Sequence, residues 1–244
     1  MRLLGVVGTL LVVGTLPFLL VLSNGRSLTL DQDFYLSGFA EQGVKQTTGM
    51  TDEELATAAG QIIAYLQGGS PVSLVVEKEW GREPLFGPKE AGHMVDVQTL
   101  VWQVFTAQTV LAGLFGLGVV ATVVEQARGR LRRLARRLVA GGAFTLLIFV
   151  GLLVAALLDF QTLFVDFHLL SFTNLGWILD PRTDYLIRLF PFGFWYNAAL
   201  TLVGRTIVQG ALLAVASAGY LYLTRRQGTA EWRVPTGPAV AAAD

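Results

Sequence analysis

The chain has no cysteine and only two histidines, three methionines and eight prolines in 244 residues. Without cysteine there is no disulfide, no thiolate metal site and no thiol nucleophile. Charge is scarce too: 15% of residues are charged, against about a quarter in an ordinary soluble domain. The 18 basic and 18 acidic residues cancel, so no net field invites a polyanion, and no nucleic-acid partner is expected. What is abundant is apolar surface, 53% of residues with a mean hydropathy of +0.55. That excludes a disordered chain and points to a membrane protein whose chemistry comes from oxygen and nitrogen side chains.

Spanning a hydrocarbon core takes about 20 apolar residues, and four windows qualify: Leu3 to Leu22, Val97 to Val124, Leu138 to Leu158, and Phe194 to Leu223, the last interrupted by Arg205. The first is read as an uncleaved anchor rather than a secretory signal, because the run is long and no A-x-A-like cleavage site follows it. Arg128, Arg130, Arg132, Arg133, Arg136 and Arg137 crowd the hinge between spans two and three, Arg225 and Arg226 follow span four, and Arg2 precedes span one. With four spans all of these share one face, which the positive-inside rule makes cytoplasmic. The other face receives Ser23 to Asp96, with 11 acidic against 5 basic residues. The expected fold class is an all-α integral membrane protein with both termini inside, a small extracytoplasmic cap, and a re-entrant or interfacial hairpin between helices three and four. The corresponding map is residues 1–22, 97–124, 138–158 and 194–223 as transmembrane helices, 23–96 as the cap, 125–137 as an Arg-rich cytoplasmic loop, 159–193 as an aromatic outer segment, and 224–244 as a cytoplasmic tail.

In the cap, Thr51-Asp52-Glu53-Glu54 fits a capping box. Leu55, Ala59, Ile62, Ile63 and Leu66 then recur on one helical face, Gly68-Gly69-Ser70-Pro71 ends that helix, and Val72 to Val76 reads as a short strand. Trp80, Leu85 and Phe86 are candidates for contact with the bilayer surface. Phe160 to Tyr196 holds 11 of the chain's 26 aromatics, too apolar for a solvated loop. Asp166, His168, Asn174, Asp180, Asp184 and Arg188 make it too polar for a span. A hairpin against a lipid-facing pocket satisfies both facts, since irregular backbone at membrane depth survives only beside protein or a water-filled cavity.

Both histidines fall on the outer side, His93 before span two and His168 in the aromatic segment. His93, Asp96, Thr99, Gln103 and Thr106 lie within a limited arc of one helix and are expected to face the bundle interior. Span four carries a second row, Asn197, Thr201, Arg205 and Gln209, in which Arg205 reads as a clamp on a carboxylate or amide of a neighbouring helix. The Gly113-x-x-Gly116 and Gly210, Ala214, Ala218 spacings read as close helix packing. A lone interfacial histidine is more often structural. Two histidines as the whole supply, beside carboxylates in one polar cavity, raise the case for chemistry. No zinc-ligand pair and no G-x-S-x-G occur, so neither metal nor cofactor is expected. Imidazole general acid–base catalysis fits the inventory, its unperturbed pKa lying near 6.5.

The string His168-x3-Phe172-x-Asn174-x2-Trp177-x2-Asp180-Pro181-x2-Asp184, followed by Phe190-Pro191 and Phe194-Trp195, resembles a family of four-helix bacterial membrane proteins, the lipoprotein intramolecular transacylases (Lit). His93-Met94-x-Asp96-Val97 is similar to the family's other motif, and the resemblance extends over the spans and the capped helix. It implies a substrate, a lipoprotein whose N-terminal cysteine carries an S-diacylglyceryl group, met in the outer leaflet of the bacterial cytoplasmic membrane. It also implies a reaction, transfer of the sn-2 acyl chain to that cysteine's own α-amine, which needs no cofactor. His93 and His168 become the catalytic pair. Asp96 and Asp166 become candidate orienters of the imidazoles, with Asn174 and Trp177 as candidate oxyanion donors. Asp180, Asp184, Arg188 and Arg205 are motif or structural positions. Two readings from other classes share these features: an outer-leaflet lipid or ester hydrolase, which would release fatty acid, and a non-enzymatic lipid-binding or sensor protein with structural histidines. Transport is disfavoured because no inverted repeat is visible. The sequence leaves the oligomeric state open.

Overall fold

The computed structural model describes residues 2–78, 81–124 and 129–230; Trp80 and Arg128, singled out above, lie outside them. In chain order the elements are α1 (Arg2–Thr29), α2 (Gln32–Glu41), α3 (Val44–Thr48), α4 (Asp52–Leu66), β1 (Val75–Lys78), β2 (Gly81–Pro84), α5 (Pro88–Val124), α6 (Arg130–Ser171), α7 (Tyr185–Leu189) and α8 (Phe192–Ala230). Among the described residues four helices, α1, α5, α6 and α8, are long and apolar enough to cross a membrane. They leave large side chains such as Leu10, Leu117, Leu147 and Val215 more than 60% exposed, as a lipid-facing surface requires.

The bundle closes through small residues, which let backbones approach and gain dispersion contact. A Cβ on Gly142 of α6 would sit 2.6 Å from the Gly210 carbonyl oxygen and 2.8 Å from the Ala214 Cβ on α8. The Gly210–Ala214 spacing is thus a contact of backbones. Gly113 and Gly116, expected to pack likewise, face open space. The α1–α5 contact uses Gly118 instead, where a Cβ would meet Leu11 at 2.8 Å. The Arg-rich stretch is helical from Arg130 onward rather than a loop through residue 137. Gly129, at φ 72°, turns the chain into α6, and arginine is a strong helix former. Arg137 is buried, donating to the Thr122 hydroxyl and to the Gly5 carbonyl.

A polar layer ties the spans together nearer the other end. Asn24 of α1 donates to Thr206 (3.1 Å) and Gln209 (2.9 Å) of α8. Gln108 of α5 donates weakly to Ser23 (3.4 Å) and accepts from Arg26 (3.3 Å). Arg205, expected to clamp a neighbouring helix, is exposed and makes no hydrogen bond or ion pair among the described residues. The adjacent Thr206 and Gln209 take the α1 partner instead.

Beyond this layer lies the cap. Both halves of the capping box at Thr51 and Glu54 form at the start of α4, and Leu55, Ala59, Ile62 and Leu66 are buried. Two short helices, α2 and α3, precede it where no element was expected; Asp31 caps α2 by accepting the Phe34 N–H at 3.1 Å. The strand lies further on than Val72–Val76. Val75–Lys78 pairs antiparallel with Gly81–Pro84 in a hairpin. Leu85 and Phe86, candidates for bilayer contact, pack into the cap, Leu85 fully buried. The cap core also takes Tyr185, Leu189, Phe190 and Phe194 from α7 and the start of α8, with edge-on ring pairs such as Phe39–Phe190 at 5.4 Å. The second outer segment is therefore part of the same core as the first.

The stretch 159–193 comprises the end of α6, a loop, α7 and the first residues of α8. Asp159 departs from helical geometry (φ −156°, ψ 81°), and its carboxylate accepts the N–H and hydroxyl of Thr162 at 3.0 and 2.6 Å. It therefore breaks α6 and recaps it, and the helix continues to Ser171. Residues 172–184 form the loop that leads to α7.

Candidate active site

The first turns of α5 and the last of α6 converge at the cap end. His93 is 7% exposed and His168 half-buried, their ring centroids 6.3 Å apart at an interplanar angle of 33°. Aromatic rings enclose them. Phe172 stands edge-on to His93 at 5.0 Å, and Phe164 and Trp177 lie 4.3 and 4.8 Å from His168. Helix periodicity supplies Phe164, one turn before His168; Phe172 is the extended residue that ends α6, and Trp177 comes from the loop beyond it.

The two imidazoles are held differently. His168 Nδ1 is 2.7 Å from the Phe164 carbonyl oxygen, an acceptor only, so this nitrogen carries the proton and the neutral ring presents its lone pair at Nε2. His93 Nδ1 is buried with no hydrogen-bond partner, and so is the indole nitrogen of Trp177. Buried polar atoms are nearly always paired in native proteins. Both of these open atoms lie beside the same imidazole pair.

The remaining candidates divide between the loop and the surface. Asn174 donates to Asp96 at 2.9 Å and accepts the Gly176 N–H at 2.8 Å. Asp96 therefore fastens the loop to α5 and makes no hydrogen bond to an imidazole. Asp166 is exposed on α6, also with none. Asp180 accepts from the Arg182 backbone and guanidinium, which hold its carboxyl down at about 2. Asp184 accepts the Asp180 N–H at 2.8 Å, closing the turn before α7. Arg188 stacks on Tyr185 and donates to the Thr47 carbonyl, pinning α7 to α3. Arg205 lies on α8, away from the α5–α6 junction.

The stripe expected to face the bundle interior does so only at its head. His93 is buried and Asp96 half-buried, but Thr99, Gln103 and Thr106 are exposed and line an open groove of about 560 Å³ with Trp102. The α5–α1 contact takes another face, through Gln108 and Gly118. The Thr99 and Thr106 hydroxyls need no interior partner because they donate to the Val95 and Trp102 carbonyls, one turn back.

Sequence reasoning missed Glu90. It is 3% exposed and accepts the Leu186 N–H at 2.6 Å and the Gly87 N–H at 2.7 Å. One turn before His93, it ties the start of α5 to α7, while Lys89 donates to the Ile178 carbonyl next to Trp177. The available signal was the Glu-x-x-His spacing, which places both side chains on one helical face.

The family model of the lipoprotein intramolecular transacylase Lit matches residues 10–195. Among solved structures, the in meso structure of the membrane integral lipoprotein intramolecular transacylase Lit from Bacillus cereus is similar, with a TM-score of 0.77 and 19% identity over 93% of this chain and 100% of that one. Two variants of that protein, with one histidine replaced by alanine or by arginine, give a TM-score of 0.70 and 18% identity over 93% of this chain and 95% or 94% of theirs. At such identities the likeness is one of fold. No curated protein matches.

Proposed function

The chain belongs to the lipoprotein intramolecular transacylase family, enzymes that transfer acyl groups in lipoproteins, and we propose that it moves the sn-2 acyl chain of an S-diacylglyceryl cysteine to that cysteine's own α-amine. The new amide C–N bond forms as the ester C–O bond breaks, and one proton passes from nitrogen to the glyceryl oxygen. The observation that carries this reading is the meeting of the two histidines, 6.3 Å apart, with a protein partner fixing one ring and none on Nδ1 of the other.

His168, its Nδ1–H occupied by the Phe164 carbonyl, takes the amine proton through Nε2. The amine has a reference pKa near 8, within reach of an imidazole base. His93 delivers a proton to the departing glyceryl oxygen. The Trp177 N–H donates to the oxyanion of the tetrahedral intermediate, where fixed donors are worth most. Asn174 and Asp96 hold the loop that carries Trp177. Donor and acceptor belong to one molecule, so positioning supplies much of the rate, and conversion of ester to amide runs downhill. The arginines at the far end of the spans support an orientation with the termini in the cytoplasm and the histidines facing the outer leaflet of the cytoplasmic membrane.

Mass spectrometry of the N-terminal lipopeptide of a co-expressed reporter lipoprotein tests this. The expected result is an unchanged total mass with one acyl chain moved from glycerol to nitrogen, lost in His93→Ala and in His168→Ala. Full transfer by both variants would sink the pair as catalysts, and loss of one acyl chain would make the enzyme a hydrolase.

A further inference from the structure

Arg205 is not used by the reaction, and an unpaired guanidinium in a membrane helix is a functional candidate by default. Its level in the bilayer follows from counting. Residues 205 to 225 of α8 rise about 30 Å, one hydrocarbon thickness, between Arg205 and the Arg225 of the opposite end. The polar layer of Asn24, Thr206 and Gln209 is level with it. Arg205 therefore stands where hydrocarbon meets headgroups on the cap side. A helical Cα–Cβ bond tilts toward the helix N-terminus, and the N-terminus of α8 lies in the cap. The stem of Arg205 thus leads toward Thr201 and Asn197, one and two turns above it.

Those two residues line an open cavity of about 400 Å³ between α2 and α8, together with Phe34, Ser37, Glu41 and Leu200. Glu41 is exposed, accepts from the Asn197 amide at 3.1 Å, and meets no cation among the described residues. The groove thus carries a carboxylate without a cation at its upper end and a guanidinium without an anion below its lower one. Eight residues, about 12 Å of rise, separate Asn197 from Arg205, and the extended arginine stem spans roughly half of that. What remains fits a phosphate and an ammonium joined by two carbons. Below Arg205, on the same side of α8, Val208, Leu212 and Val215 are 56%, 64% and 70% exposed, a continuous apolar track for acyl chains.

We propose that the α2–α8 groove binds a zwitterionic phospholipid with a phosphodiester and a primary ammonium, the phosphate on Arg205 and Thr201 and the ammonium on Glu41 and Ser37. Charge complementarity selects this occupant. A headgroup with phosphate alone leaves Glu41 unpaired and repelled, and a quaternary ammonium has no N–H to donate to it. The site is distinct from the histidine pair, which belongs to α5 and α6.

The test is titration of the purified full-length protein in detergent with phosphatidylethanolamine, phosphatidylcholine and phosphatidylglycerol, reading bound lipid by native mass spectrometry and the thermal midpoint in parallel. Phosphatidylethanolamine is expected to bind about tenfold more tightly than either other lipid, the worth of one charge-assisted hydrogen bond. Arg205→Gln weakens the binding of all three lipids and Arg205→Lys restores most of it, the preference resting on Glu41. Glu41→Gln, which retains an acceptor for Asn197, brings phosphatidylethanolamine down to the phosphatidylcholine level. Should Arg205→Gln fail to fold, Glu41→Gln decides alone. Equal affinity for the three lipids overturns the proposal, as does phosphatidylethanolamine binding that neither Arg205→Gln nor Glu41→Gln weakens. Soluble phosphoethanolamine binding as tightly as the lipid overturns a lipid occupant.

Discussion

Replacing Trp177 by phenylalanine separates a catalytic indole from a structural one, because the two roles predict opposite balances of stability and rate. The resting protein buries the indole N–H without a partner, which costs about 1–3 kcal/mol. Phenylalanine removes that cost and keeps an aromatic face against His168, where the ring centroids now lie 4.8 Å apart. The smaller ring gives up two or three carbon atoms' worth of burial, about 2 kcal/mol at about 0.8 kcal/mol per methylene. The two terms nearly cancel, so the thermal midpoint is expected to shift by no more than a few degrees. The rate has no such compensation. A donor aimed at charge that exists only in the transition state is worth about 10²–10³ in kcat, and its loss leaves KM close to its original value. Initial rates on a synthetic diacyl lipopeptide in detergent, with N-acyl product quantified by mass spectrometry, give kcat and KM separately. A kcat within threefold of the wild type refutes the oxyanion role, and so does a midpoint that falls in step with the rate.

Three further outcomes follow from contacts elsewhere. Glu90→Ala orphans the Leu186 and Gly87 N–H groups but returns the cost of burying a carboxylate; a net loss of about 2 kcal/mol is expected, with kcat falling more than KM changes as α7 and the Trp177 loop loosen, while Glu90→Gln, retaining one acceptor, falls between in both readouts. Gly142→Ala drives a Cβ to 2.6 Å from the Gly210 carbonyl oxygen and 3.2 Å from the Ala214 nitrogen, backbone atoms that cannot yield, and is expected to cost about 1–3 kcal/mol; Gly113→Ala, with nothing within 4 Å, gains about 0.5–1 kcal/mol of helix propensity, and thermal midpoints of the pair check both signs. Asp180, depressed to about 2 by Arg182, contributes stability that is fully present above the ordinary carboxylate pKa near 4 and is lost as pH falls through 2; in thermal scans from pH 5 to pH 2 the wild type should lose more than Asp180→Asn.

The spans were legible because the bilayer imposes one requirement on every residue of a window, and mean hydropathy reads it directly. The capping box at Thr51 and Glu54 was equally legible, being a pattern closed within four residues. What could not be read were contacts set by which face of a helix turns toward which neighbour. Thr99, Gln103 and Thr106 share an arc with His93, yet their polarity gives no direction when two of the hydroxyls are satisfied by their own helix. Gly113 and Gly116 have the spacing of a packing motif and face open space, whereas Gly118, two residues on, meets Leu11. Glu90 stayed hidden because its partners are backbone N–H groups nearly a hundred residues away and next to it, and a backbone amide leaves no mark in a sequence. The histidine pair was found through scarcity: with two histidines in the chain, topology alone brought them to one end. Which nitrogen of each ring is occupied depended on Phe164 and on the loop beyond residue 171, and only coordinates supply that.

The way polar groups are satisfied along the spans gives the unpaired ones their meaning. Thr15, Thr122, Thr145 and Thr206 are buried, and each donates to the carbonyl four residues earlier. Asn24 uses both ends of its amide on α8. Arg137 reaches two acceptors on separate helices. In a medium that offers no water, this completeness is what physics demands. Toward the cap, the exceptions are His93 Nδ1 and the Trp177 N–H, both buried, and the exposed Arg205 guanidinium stands at the level of the polar layer. Each of the two buried atoms carries a cost of order 1–3 kcal/mol. A reacting ester and amine suit the enclosed aromatic pocket of the first two, and a phosphate suits the open groove beside the third. A single explanation for all three is therefore unnecessary: the enclosed pair and the exposed cation differ in burial, in neighbours and in the sign of charge they attract.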